Sequence, residues 1–286
     1  MRGRPLLPLL SLLQLLGLLA LWLGLCSGSR TVPCRLVNLL TQPPVSYGDA
    51  WSAQKWLLEQ QVAAQEVDDD AATALRGTVL VLEHRSVYTL GTATKEDSGP
   101  FTRELANGER LTYDVFQVER AGEATYHGPG QLVVYPILDL SYFDKDIDNY
   151  LRRLEAVVIS SLARVGVSSA GRVTGLTGVW VDDQKVAAIG IKLRRWVTMH
   201  GVSINICPDM RYFDNIIPCG IRGKRVGSVQ GLLAEAGSTS TVTVSQFAKI
   251  FLEEFCVHFG TSFPLSLDGE KATEYFQGCI LDREDV

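Results

Sequence analysis

The chain has 286 residues, 46% of them hydrophobic, and a formal net charge of -5. That length and composition suit one globular domain with a sizeable core, and the acidic balance excludes a basic nucleic-acid footprint. The six cysteines form no Cys-x-x-Cys pair and no zinc-like Cys/His spacing, so they read as single thiols of a reducing compartment, with neither a disulfide framework nor a metal site.

Residues 1–30 begin with Arg2 and Arg4, continue as a Leu-rich run to Leu25 and reach the small residues Cys26, Ser27 and Gly28. This is the pattern of a signal segment with a cleavage site. The run also has the roughly 20 apolar residues of a membrane helix, so a signal anchor is the alternative. No acid precedes Asp49, the composition of an organellar transit segment, and the leader therefore reads as bipartite. Residues 31–46 hold a transit remainder and a first strand, and no later stretch is apolar enough to cross a bilayer.

Trp51, Leu57, Leu58 and Val62 recur at helical spacing, which predicts a helix from Tyr47 to Gln65. The β-branched run Thr78 to Glu83 predicts a strand, and the polar stretch Lys95 to Arg110, with its Gly-Pro and Asn-Gly turn signals, a surface loop. Ile147, Leu151, Leu154, Val158 and Leu162 mark a helix across Asp144 to Val165, whose acidic start suits the helix dipole. Gly178 to Val181 and Lys185 to Leu193 read as a hairpin, and Val202 to Ile206 continues the sheet. Thr243 and Gln246 have capping-box spacing ahead of Phe247, Ile250, Phe251 and Phe255, which starts a C-terminal helix. Residues 263–286 read as a loose tail. Hairpins with interspersed helices, rather than regular βα alternation, indicate an α+β fold with a mixed β-sheet and flanking helices.

Two segments carry chemistry. The first is the Gly-rich loop Arg120-Ala121-Gly122-Glu123-Ala124-Thr125-Tyr126-His127, followed by Gly128-Pro129-Gly130-Gln131. Its glycines let backbone approach a ligand, and its side chains can line a pocket wall. On its own it reads equally as a tight turn with His127 in a structural role. It matches neither a Rossmann nor a P-loop phosphate cradle. The second runs from Lys185 through Ala188, Ile189 and Gly190, then His200, Gly201, Val202 and Ser203, to Pro218-Cys219-Gly220. A cysteine between Pro and Gly sits at a turn where its sulfur can be exposed. At a reference pKa of about 8.5 it needs a neighbouring Lys or His to raise its thiolate fraction, and Lys185 and His200 are the candidates. From spacing alone, Cys219 is equally a buried inert thiol and Lys185 an ordinary hairpin charge.

In this order, Arg-Ala-Gly-Glu-Ala-Thr-Tyr-His-Gly-Pro-Gly-Gln, Thr-Gly-Val-Trp-Val, Lys-Val-Ala-Ala-Ile-Gly, Met-His-Gly and Pro-Cys-Gly-Ile resemble the LipB family of lipoyl(octanoyl) transferases, over about residues 35 to 260. The resemblance implies the α+β catalytic fold of the biotin and lipoate protein ligases for residues 47–262. It implies Cys219 as the acyl-thioester nucleophile and Lys185 as the residue that lowers its pKa and relays protons. Arg120 to His127, Ala188 to Gly190 and Gly201 to Ser203 would bind substrate, with His200 in support. Val186, Ile189 and Val202 could wall an apolar tunnel. The implied reaction needs no cofactor and no metal. It moves octanoate from octanoyl-acyl-carrier protein to the lysine of lipoyl domains, those of 2-oxoacid dehydrogenase E2 subunits and of the glycine cleavage H protein, in a plastid or mitochondrion, by a monomer. An ATP-dependent lipoate ligase and a protein-to-protein octanoyl amidotransferase are the alternatives. Lys192, Arg194, Arg195, Arg211, Arg222, Lys224 and Arg225 read equally as a solvated face and as a docking surface for the acidic partners that the resemblance implies. One departure stands out: Ala121 replaces a glycine of the family pattern, which would reshape the loop if that position needs positive φ.

Overall fold

The computed structural model describes residues 31–66, 74–94, 102–104, 110–216 and 224–282. The expected targeting segment, the polar stretches 95–101 and 105–109, and Arg222 and Cys219 within 217–223 lie outside the described residues.

In chain order the elements are β1 (Val32–Asn38), α1 (Tyr47–Ala64), β2 (Gly77–Leu82), β3 (Val87–Leu90), β4 (Thr102–Glu104), β5 (Arg110–Thr112), β6 (Asp114–Gln117), β7 (Thr125–His127) and β8 (Gln131–Leu138). There follow α2 (Ile147–Arg164), β9 (Gly171–Val173), β10 (Leu176–Val181), β11 (Gln184–Arg194), β12 (Val197–Asn205), β13 (Arg225–Val226), α3 (Val229–Glu235), α4 (Val244–Phe259), β14 (Thr261–Asp268) and α5 (Gly269–Leu281). The main sheet has the order β14-β1-β2-β8-β12-β11-β10-β9, with β13 beside β11. It is parallel at β14, β1 and β2 and antiparallel from β2 to β9, which is the mixed sheet expected. A smaller sheet, β6-β3-β7, stands beside it, and β4 pairs with β5.

The central strands are buried on both faces, so their side chains alternate between two apolar layers. Val79, Val81, Leu132 and Val134 join the layer formed by α2 (Leu154, Val158) and α4 (Phe247, Phe251, Phe255). Leu80, Leu82, Val133 and Tyr135 join the opposite layer formed by α1 (Leu57, Leu58) and α5 (Ala272, Phe276). The starts of α2 and α4 follow from their caps. Asp146 accepts from the Asn149 N–H at the start of α2, and Thr243 and Gln246 complete the expected capping box on α4.

The helices Tyr47–Ala64, Ile147–Arg164 and Val244–Phe259 and the hairpin β10–β11 match expectation to within a few residues. Two expectations fail. The polar stretch before Arg110 contains β4, which pairs with β5. Within the expected tail, residues 263–282 are not loose: β14 pairs in parallel with β1, and Ala272, Phe276 and Cys279 at i, i+4, i+7 dock α5 onto the layer of α1.

One irregularity shapes the sheet. β8 pairs with β12 only from Val202 to Asn205. Beyond that point Pro136 has no N–H to give, and the Thr198 hydroxyl takes over the ladder, donating to the Pro136 carbonyl at 2.6 Å and accepting from the Leu138 N–H at 3.0 Å. In the same stretch His200 takes φ 60°, which breaks the strand's alternation and re-aims its side chain. Thr198→Val keeps the shape but strands a fully buried N–H. It should cost about 1–3 kcal/mol in urea denaturation, whereas Thr198→Ser should stay near wild type. Equal stabilities for Val and wild type would refute the bridge.

Candidate active site

Strand alternation also builds the site. Ala188 and Ser203, and Gly190 and Gly201, are register partners on β11 and β12. Together they make the floor of a cavity of about 340 Å³, within the roughly 300–1,000 Å³ range of small-molecule sites. Gly190 is required there, because a Cβ would lie 2.9 Å from the Ala121 carbonyl oxygen and 3.2 Å from Arg120 Cδ. The loop 120–127 thus lies directly on the sheet and forms the opposite wall.

Of the residues predicted to bind substrate, Arg120, Ala121, Gly122, Glu123, Ala124, Thr125, His127, Ala188, Ile189, Gly190, Gly201, Val202 and Ser203 border this cavity, as do Lys185 and His200. Tyr126 does not. Neighbouring side chains on β7 point to opposite faces, and Tyr126 stacks instead on Tyr212 at 4.6 Å, within an aromatic cluster with Tyr88 and Phe213. Val186 is a correction too: it is fully buried in the layer under α2 and α4. Ile189 and Val202 border the cavity while also packing in that layer. Ala121 needs no left-handed backbone. The positive φ of this loop, 96°, falls on Gly122.

Arg120 is buried, and its guanidinium donates to the Thr89 carbonyl at 2.8 Å, the Thr89 hydroxyl at 2.9 Å and the Ala121 carbonyl at 3.3 Å. In this geometry it clamps the loop to β3. Lys185 is also buried, with its ammonium 5.3 Å from the centre of the Trp180 ring. Room for it comes from Gly178, where a Cβ would meet Lys185 Cε at 2.6 Å. The Gly178 N–H is held by Glu155, a fully buried carboxylate that also pairs with Arg152 and Arg172.

Sequence reasoning missed Tyr47, Val133, Tyr135, Leu176 and Trp180, all of which line the cavity. Tyr47 opens α1 and stacks on His127 at 6.0 Å. His84 donates from Nδ1 to the Val45 carbonyl at 3.1 Å, so its Nε2 accepts the Tyr135 hydroxyl at 2.7 Å. The Gln131 amide donates to the Tyr126 carbonyl and to Asn205. Its oxygen therefore takes the His127 Nδ1 proton at 2.7 Å. Asn205 in turn donates to the Gly227 carbonyl, and the Gly227 N–H donates to the Lys185 carbonyl at 3.0 Å. A hydrogen-bond chain thus joins His127 to the strand that carries Lys185.

Burial drives the imidazoles toward neutrality. His84 and His200 are each pushed down to about 4 by desolvation, and His127 well below its ordinary value by desolvation and the neighbouring His84. Burial alone would raise the Glu119 carboxyl, but hydrogen bonds from its own backbone and Trp51 and the charge of Lys192 hold it below the usual range. The predicted basic cluster is largely neutralised in place. Lys192 pairs with Glu119, Arg195 with Glu66, Arg211 with Asp209 and Arg225 with Asp183. Among the described residues, no group of three or more His, Cys, Asp or Glu side chains could hold a metal ion.

The pH dependence of stability follows. A histidine whose folded pKa is depressed binds more protons when unfolded, so its contribution is present above the unfolded value near 6.5 and is lost as pH falls toward 4. The urea midpoint should drop between pH 7 and 5, by up to about 1.4 kcal/mol per pH unit for each such group, and His200→Gln should flatten the slope. A midpoint independent of pH in that window would contradict neutral burial.

The lipoyl protein ligase A/B catalytic domain model matches residues 46–256. A chloroplastic octanoyltransferase of Arabidopsis thaliana is 39% identical, with 86% of this chain and 84% of that protein covered. An octanoyltransferase of Nostoc punctiforme is 43% identical, with 80% and 93% covered. Among solved structures, lipoate-protein ligase A bound with ATP superposes with a TM-score of 0.60 at 14% identity, over 89% of this chain and 96% of that one. That likeness extends the shared fold to the lipoate ligases. With the family model over most of the chain and relatives near 40% identity, this chain belongs to the lipoyl protein ligase A/B catalytic domain family and, within it, to the octanoyltransferases, which are acyltransferases.

Proposed function

We propose that the protein transfers octanoate from octanoyl-acyl-carrier protein to the lysine of lipoyl domains, through a thioester on Cys219. The observation that carries this reading is an apolar-walled cavity with Lys185 at its border and both described flanks of the Cys219 segment beside that lysine. Ile216 and Val226 line a small recess together with Lys185, Ala188 and Ser203. Val226 is also the register partner of Lys185. Cys219 is three residues from Ile216, and three residues of chain reach at most about 10–11 Å, which supports Lys185 as the partner of its thiol.

In the first step the neutral amine of Lys185 takes the thiol proton, leaving an ammonium beside a thiolate, and the Cys219 sulfur attacks the donor carbonyl. The carrier leaves as its thiol, with a proton returned from Lys185. In the second, the acceptor lysine attacks the octanoyl thioester, an amide forms, and the Cys219 thiol is released. Thioester exchange is nearly isoenergetic, and amide formation drives the sequence. The apolar walls are the binding element, since each buried CH₂ contributes about 0.8 kcal/mol. The lipoate ligase reading rests on fold likeness at 14% identity, against relatives near 40% named for octanoyl transfer, and an amidotransferase would differ in its donor alone.

Incubation with octanoyl-acyl-carrier protein should add one octanoyl mass to Cys219, removable by hydroxylamine. Lys185→Ala should slow that loading by orders of magnitude in a folded protein. No adduct on wild type, or an equal adduct on Cys219→Ala, would end the mechanism. The chloroplastic relative supports residues 1–30 as a targeting segment leading to a plastid, with the mitochondrion as the other compartment. A fluorescent fusion of residues 1–50 should colocalise with plastids, and retention in the endoplasmic reticulum would refute this.

A further inference from the structure

Trp180 is almost fully buried, at 3% exposure, and its indole N–H has no hydrogen-bond partner. A buried tryptophan N–H normally finds an acceptor, because an unmade hydrogen bond in the interior is costly. The side chain borders the main cavity, and the ammonium groups of Lys185 and Lys224 lie 5.3 and 5.8 Å from the ring centre. Two cations at the ring draw electron density from the indole and make its N–H a stronger donor.

We propose that the Trp180 indole N–H is the donor that holds the carbonyl oxygen of the bound acyl group and so fixes the direction in which the chain enters the cavity. An octanoyl chain carries a single acceptor group, its carbonyl. Only that end can satisfy the indole, which places the reacting carbon beside Lys185. The alkyl tail then runs toward Tyr47, His127 and Tyr135, whose rings are linked through His84 into one cluster. Thr125 and Ser203 also border the cavity near Lys185, but their hydroxyls can rotate to accept or donate. Of these three side chains, only the indole is restricted to donating.

This inference rests on the acyl-transfer reading, and its test separates the two. The full chain carrying Cys219→Ala, labelled with ¹⁵N at tryptophan, is titrated with S-octanoyl-N-acetylcysteamine and with the matching octyl thioether, which lacks the carbonyl. The Trp180 resonance is assigned by its loss in Trp180→Phe, which keeps an aromatic ring beside the lysines. The indole proton should move downfield with the thioester and not with the thioether. The thioester should bind about tenfold more tightly than the thioether, and in Trp180→Phe that preference should fall to near one. Equal movement with both ligands, or a preference unchanged in Trp180→Phe, overturns the proposal and leaves the acyl pocket standing. If neither ligand binds, the acyl-transfer reading fails and this inference fails with it.

Discussion

The site depends on the close approach of the loop 120–122 to β11 at Gly190, and of β12 to β8 at Gly201. Gly190 and Gly201 are register partners. A Cβ on the first would press on the Ala121 carbonyl, and one on the second would sit 2.2 Å from the Val134 carbonyl. Removing both side chains lets backbone pack on backbone, so the cavity has a rigid floor and a wall fixed by main-chain contacts, including the Ala121 N–H to Ile191 carbonyl bond at 3.0 Å. Arg120, clamped onto Thr89, ties that wall to the smaller sheet. Rigid walls suit a long flexible acyl chain, because ordering the ligand is then the main entropic cost of binding.

Charge is managed by the same enclosure. Three histidines near the cavity are held neutral by burial, and the hydrogen bonds of His84 and His127 fix each in one tautomer. An apolar ligand therefore meets neutral rings on one side. The buried ammonium of Lys185 is confined to the edge where Trp180 stands and where β13 pairs with β11. Lys192, Arg195, Arg211 and Arg225 are each paired with a nearby carboxylate, and exposed pairs of this kind contribute little to stability. A basic stretch in sequence is thus no docking surface by itself, since Glu66, Glu119, Asp183 and Asp209 meet it from elsewhere in the chain.

Much of the fold was legible because its signals are local. The Thr243 box, the period of Ile147 to Leu162 and the hairpin at Asp182-Asp183 each lie within a few residues. The C-terminal elements were missed for a physical reason. Phe263, Leu265 and Leu267 alternate as a strand should, but Pro264 interrupts the run and Leu265 is partly exposed at the sheet edge. The apolar stripe of α5 is only three residues wide. In the site, linear motifs located the loop and Lys185 but could not assign faces. Tyr126 turned away because β7 alternates, and Val186 because β10 and β11 pair with a register shift near Val179 and Trp180. Tyr47, Val133 and Tyr135 belong to elements that only tertiary packing brings to the cavity.

The contribution of α1 makes the point most directly. Along one face, Tyr47 stacks on His127, Trp51 donates its indole N–H to Glu119 at 3.1 Å, and Gln54 accepts the His200 backbone N–H at 2.9 Å. These three lie at i, i+4 and i+7, the same stripe that continues to Leu58 in the apolar layer. One helical face therefore serves as core at its C-terminal half, while at its N-terminal half Tyr47 lines the cavity and Trp51 and Gln54 hold the residues behind it. Its docking places the aromatic wall, orients Glu119 toward Lys192 and His200, and supports the positive-φ kink of β12. The stability of that helix interface and the shape of the cavity are accordingly one property of the fold, and a sequence window read alone has no means of separating the two halves of the stripe.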